Sequence, residues 1–178
     1  MRRFTPLLVG LVAAAGLVAA PVAQAMGTGN PYVDQQVGVS YTVYQPKFTA
    51  GLGIQHGGGD ATCPAGQDID LMVQYGKTTG RAFTIWEGSK MCRDIGNGPT
   101  VMTTKINGAE AVLEAYCDPA SSSKCTKADV SKYGGNLKVT FPGKAPYGPT
   151  VLWIETFSQN PLSAQQLVKI AKSLAPVS

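Results

Sequence analysis

The sequence predicts an α+β fold: an antiparallel, meander-like sheet of about six or seven strands, with a C-terminal helix packed on one face and two disulfides. Three observations carry this. Short runs of β-branched and aromatic residues, punctuated by Gly, Pro and Asn, recur from Val37 to Phe157. The one strong amphipathic helical pattern comes last, from Ser163 to Leu174. Four cysteines, an even number, all lie beyond the N-terminal apolar segment. Layering a helix on one face of an antiparallel sheet satisfies all three. A β-sandwich with the helix as an appendage is the alternative. With 21 Gly, 12 Pro and only 15% charged residues, the composition favours many short strands and turns over long helices.

Residues 1–25 read as a signal peptide. Arg2 and Arg3 supply a positive start, Leu7 to Ala20 is apolar without a charge, and Ala23-Gln24-Ala25 is a small-x-small cleavage site. Cleavage there leaves residues 26–178 as a single secreted globular domain, large enough for a sizeable core. An uncleaved leader would instead serve as an anchor. The residues after the paired arginines, Phe4-Thr5-Pro6, fit a twin-arginine signal poorly and general secretion better. No later segment has the length of a transmembrane helix, so no stable span is expected after cleavage. The expected location is the secreted space or the cell envelope. The formal charge of +4 falls to +2 without Arg2 and Arg3, which leaves no basic footprint for nucleic acid.

Met26 to Asp34 reads as a loosely held lead-in. Val37 to Gln45 alternates as a first strand, ended by Pro46. Phe48 to Ala61, with five glycines, reads as a long loop. Ile69 to Tyr75 and Ala82 to Glu87 are strands joined by Lys77-Thr78-Thr79-Gly80, short enough for a hairpin; Phe83 and Ile85 face away from Thr84 and Trp86. Ser89 to Pro99 is a connection carrying Cys92. Val101 to Ile106 and Ala109 to Tyr116 flank Asn107-Gly108, the strongest short hairpin signal, because both central residues of a type I′ turn need positive φ. Asp118 to Lys124 is polar and Ser-rich. A helical turn over Asp129 to Lys132 and a strand over Leu137 to Phe141 follow. Thr150 to Phe157 is the last strand. Ser158 to Pro161 is a turn, Ser163 and Gln166 form a capping box, and Leu162 and Leu167 a hydrophobic staple. Leu167, Ile170, Ala171 and Leu174 make the buried stripe, and Pro176 bars continuation.

Each catalytic template fails on a named residue. Gly76-Lys77-Thr78 resembles a P-loop ending, yet Leu71 stands where the first glycine belongs, and the segment lies between strands. His56 is the sole histidine, so any Ser–His–acid triad must use it; no serine has the full Gly-x-Ser-x-Gly context. Asp68 with Asp70, and Glu110 with Glu114, share strand faces in the manner of solvated sheets. No Cys-x-x-Cys pair or histidine at ligand spacing marks a metal site, and no cofactor is expected. The cysteines are expected as disulfides. Cys117 and Cys125 enclose a short polar loop needing a staple, and Cys63 and Cys92 pair by elimination, bracketing the first hairpin. Strand aromatics (Tyr41, Tyr44, Tyr75, Phe83, Tyr116, Phe157 and the two tryptophans) are read chiefly as core. Trp86 fits the core least well, and with His56 and Asp60 of the glycine-rich stretch it forms the candidate ligand loop.

The block Cys117-Asp118-Pro119-Ala120-Ser121 through Lys124-Cys125, and the ending Pro161 to Leu174, resemble small uncharacterised exported proteins of mycobacteria and related actinobacteria. The ending also resembles the last helix of several α+β envelope lipoprotein families, although the lipobox cysteine is absent here. The resemblance implies export and carries no catalytic residue to transfer. The function expected is a non-enzymatic, secreted or cell-envelope binding protein with an envelope component or protein as partner. The alternatives are a secreted hydrolase using His56 as general base and a structural envelope protein without a small-molecule ligand.

Overall fold

The computed structural model describes residues 27–60, 63–92, 96–117 and 125–177. The expected signal peptide, residues 1–25, and the whole Asp118 to Lys124 loop lie outside the described residues. The elements run α1 (Pro31–Gln36), β1 (Tyr44–Pro46), β2 (Ile54–Asp60), β3 (Asp70–Gly76), β4 (Ala82–Gly88), β5 (Thr100–Ile106), β6 (Ala109–Ala115), α2 (Lys127–Tyr133), β7 (Gly135–Phe141), β8 (Thr150–Thr156), α3 (Ala164–Lys172) and β9 (Leu174–Pro176). Seven strands form one antiparallel sheet in the order β2-β3-β4-β8-β7-β6-β5, and β1 pairs with β9 in a small second sheet. The architecture is α+β. The β-sandwich alternative falls, since the second sheet has two short strands and helices cover the first. No helix among the described residues is long and apolar enough to cross a membrane.

The sheet is two meanders rather than one. β2-β3-β4 and β5-β6-β7-β8 each fold locally, and β8 then docks against β4, pairing Ile85 with Ile154 and Trp86 with Trp153. One face is the core. Leu71, Val73, Phe83, Ile85, Leu137, Val139, Leu152 and Ile154 point from it into α1, α3 and the extended 41–46 segment, with almost no exposure. The Ser163–Gln166 capping box forms, and the stapling leucines Leu162 and Leu167 are fully buried. Asn107 and Gly108 both have positive φ in the β5–β6 turn.

Four local expectations are corrected. The lead-in holds α1, whose cap is the Asn30 side chain accepting from Tyr32 N–H. The strand expected over Val37 to Gln45 shrinks to β1. Val37 and Gly38 turn out of α1, Tyr41 makes only an isolated bridge to Gly148, and side chains supply further partners: Gln36 bridges Val43 N–H and Tyr41 C=O, and Glu87 accepts from Tyr44 N–H. The glycine-rich loop expected over Phe48 to Ala61 contains β2, because the space beside Gly57 and Gly59 is filled by Pro31 and Ile69. The helical pattern read as far as Leu174 ends at Lys172, and Leu174–Pro176 form β9 against β1.

Both disulfides join as expected, Cys63 to Cys92 and Cys117 to Cys125, with Cα separations of 5.0 and 5.9 Å. The first anchors the β4–β5 connection, which crosses the face of the sheet opposite the helices. Beyond it the same connection is pinned again: Asn136 Nδ2 donates to Gly96 C=O at 2.7 Å, Lys138 Nζ to Asn97 Oδ1 at 2.7 Å, and Gly98 N–H to Glu114 at 3.2 Å.

Candidate functional site

Strand register divides the aromatic residues into two sets. Tyr41, Tyr44, Tyr75 and Phe83 belong to the core, with Tyr75 stacked on Phe83 at 4.6 Å. Trp86, Trp153, Tyr116 and Phe157 belong to the other face. Directly opposed strand residues point to the same side. Gly58, Met72, Trp86, Trp153, Lys138 and Val112 therefore form one row across it. A second row holds His56, Gln74, Thr84, Glu155, Asn136 and Glu114. A third begins with Asp60 opposite Asp70. The three candidate ligand residues, His56, Asp60 and Trp86, thus share a face. His56 nevertheless stands two strands from Trp86, roughly 10 Å at ordinary strand spacing.

The centre of this face is β8. Trp153 and Glu155 point outward in alternation, and Phe157 follows just past the strand's end, 71% exposed. Lys138 Nζ lies 4.9 Å above the Trp153 ring and pairs with Glu114 at 3.0 Å. Tyr116 donates from its hydroxyl to Glu155 at 2.7 Å and meets Phe157 edge to face at 6.3 Å. Burial, with the carboxylates of Glu155 and Glu114 beside it, pushes the Tyr116 hydroxyl well above the usual phenol range, so it remains a donor. The result is an amphipathic surface: aromatic rings held rigidly by neighbouring strands, with a cation, carboxylates and an amide at their edges. Trp86, 8% exposed, is the most buried of its rings.

The other candidate acids are structural. Asp68 accepts from the Ser40 hydroxyl and backbone N–H. Asp70 is almost wholly buried, accepts from Cys92 N–H at 2.6 Å, and is held above the carboxylate range first by burial and then, against that bond, by Asp60 and Asp68. Asp70 groups with Cys63 and Cys92, whose sulfurs are spent in the disulfide and offer no thiolate to a metal. Glu114 is engaged by Lys138 and Gly98, and Glu110 is exposed opposite Lys105. His56 is exposed on β2, and no serine, cysteine or carboxylate hydrogen-bonds to its ring among the described residues.

One titratable group escaped the sequence reading. Glu87 has no exposed surface on the core face of β4. One oxygen accepts from Tyr44 N–H at 2.8 Å, and the other has no partner. Burial drives its carboxyl well above the ordinary range, the Tyr44 bond only partly opposing this. Tyr32, Tyr41, Tyr44 and Tyr75 all feel its charge. The signal was present: Phe83, Ile85 and Glu87 follow the two-residue strand period.

Fold and surface together define a disulfide-stapled α+β protein with one helix-covered sheet face and one aromatic face. No protein-family model matches the chain, and comparison with curated proteins and with solved structures gives no match.

Proposed function

We propose that this is an exported, non-enzymatic binding protein of the cell envelope whose recognition surface is the aromatic sheet face centred on β8. The observation that carries this is Phe157. A phenylalanine 71% exposed, aligned with Trp153 and braced by Tyr116, has no packing role that would explain it. An exposed aromatic beside half-buried rings and rimmed by polar groups is the pattern of an interaction site. The two disulfides accord with an oxidising compartment, and the C-terminal resemblance to exported envelope proteins points the same way. The hydrolase reading through His56 draws no support from the geometry, because no nucleophile among the described residues hydrogen-bonds to its ring.

The test is an NMR titration of the purified protein, using glycan and lipid fractions of bacterial envelopes as separate probes. One fraction should shift the Trp153 indole and Phe157 ring resonances, and Phe157→Ala should abolish the response while leaving the fold intact, since it removes an exposed side chain. If neither fraction moves those resonances, or if the response survives in both Phe157→Ala and Trp153→Ala, the surface is not the binding site.

A further inference from the structure

The seven-stranded sheet has two outer edges, β2 and β5, and its helix-covered face ends differently at each. At β2 the helix side is filled: Pro31 of α1 stands 2.6 Å from where a Cβ at Gly57 would sit. At β5 it is open. Met102 and Thr104 oppose Leu113 and Ala111, two fully buried residues, so they point to the core side, yet both are only partly buried. They form one wall of a groove of about 530 Å³, with Lys127 and Ala128 of α2 and Ala164 and Val168 of α3 among the others. The walls are chiefly apolar and hold a cation and no acid. The one acid of α2, Asp129, accepts from Thr126 in the capping box. Among the described residues the Lys127 ammonium has no ion-pair or hydrogen-bond partner. The backbone edge beside the groove is also unclaimed. Among the described residues β5 pairs with β6 alone, from Met102 to Ile106 in unbroken register.

We infer that this edge and groove take up an extended segment of another protein, which adds to β5 as an eighth strand and carries an acidic residue among apolar ones. Strand addition gives the free edge its main-chain hydrogen bonds, and every second side chain of the added strand falls on the groove side. Apolar side chains at those positions fill the space that Met102, Ala128 and Val168 leave open. A carboxylate at one of them supplies the partner that Lys127 lacks. A second copy of this chain does not fit. β5 carries Lys105 and no acid, so pairing β5 with β5 adds two further lysines and offers neither Lys127 a carboxylate. A lysine on an edge strand discourages pairing with its own kind, and the same charge favours an acidic partner. An alkyl-chain anion would fill the groove and meet Lys127, but it would leave the β5 backbone unpaired. The groove lies on the core side of the sheet, opposite the aromatic face, so the inference stands apart from the binding surface proposed there.

The probe is acetyl-Thr-Leu-Thr-Glu-Thr-Leu-Thr-amide, which sets both leucines and the glutamate on one side of a strand. Titrated into the isotopically labelled protein, it is expected to shift the Met102–Ile106 amides and the Met102 and Val168 methyl resonances. It should also slow hydrogen exchange along β5. N-methylation of every residue of the peptide removes its donors and should abolish the response. Lys127→Glu should weaken binding of this peptide roughly fivefold or more, and should strengthen binding of the counterpart with lysine in place of glutamate. A glutamate at the first position of α2 suits the helix dipole, and unchanged circular dichroism checks the fold. β5 amides that stay unmoved at millimolar peptide overturn the inference. So does binding that survives N-methylation or ignores Lys127→Glu. Groove methyls that respond to dodecanoate, with β5 exchange unprotected by the peptide, overturn it too and make the groove an acyl-chain site.

Discussion

Glu87 is fully buried, bonded through one oxygen to Tyr44 N–H, and has no partner on the other. Such a group is tolerated as a neutral acid and costly as an anion. Its folded-state pKa is raised above the unfolded value. The stability it contributes is therefore fully present below the unfolded carboxylate pKa, about 4.3, and is lost as pH rises through the folded value. Urea denaturation should show declining stability from pH 4 upward, and Glu87→Gln should flatten that decline while keeping an acceptor for Tyr44 N–H. An equally steep decline in the variant would assign the effect to another group. The sequence made Glu87 hard to place. Strand period put it beside Phe83 and Ile85, whereas the rule that unpaired carboxylates stay wet argued against it. What resolves the conflict is a backbone N–H supplied from position 44, a contact invisible to any local window.

At the scale of elements, the signals that could be read were those closed within a few residues. The Ser163–Gln166 box, the Leu162–Leu167 staple and the Asn107-Gly108 turn each hold all their partners inside one short segment. Ser163→Ala should cost about 1 kcal/mol in a urea titration, the ordinary worth of an N-cap. The glycine run of β2 was opaque for the opposite reason. Glycine weakens a strand by itself, and only the structure shows Pro31 Cγ 2.6 Å from where a Cβ at Gly57 would sit, while Gly58 has open space. A proline ring cannot swing aside as a long side chain can. Gly57→Ala should therefore cost about 1–3 kcal/mol by overpacking, while Gly58→Ala should be neutral or slightly stabilising through the unfolded chain. Equal denaturation midpoints for the two variants in dilute protein would refute the packing account. Of the candidate site, Trp86, Trp153 and Phe157 were visible as aromatics, but their separation from Tyr75 and Phe83 depended on strand register, which the sequence left open.

For the whole molecule, the decisive feature is the pairing of β4 with β8, which joins two locally folded meanders into one sheet. Nothing in either strand announces its neighbour, because both are apolar alternating runs that could pair with several others. The β4–β5 connection must then cross the aromatic face, and the Cys63–Cys92 disulfide holds its start. The two bridges differ in what they do. Cys117–Cys125 closes a loop with a separation of 8 residues beside Ala115, whereas Cys63–Cys92 spans 29. Loop-closure entropy assigns about 2.5 kcal/mol to the first and about 3.5 to the second. The longer bridge also positions Cys92 N–H against the buried Asp70 carboxylate, whose other oxygen has no partner. Releasing it would leave that carboxylate without its backbone donor, a desolvation cost that adds to the entropy. Replacing both Cys63 and Cys92 by alanine should thus lower stability by more than replacing both Cys117 and Cys125, the gap exceeding the entropic difference of about 1 kcal/mol. Adding Asp70→Asn to the first variant should narrow the gap, since a neutral amide loses less when Cys92 N–H departs. Thermal or urea unfolding of the three variants decides it. Equal losses from the two bridges would mean that Gln67, Tyr116, Asn136, Lys138 and Glu114 hold the crossing connection without help from its bridge.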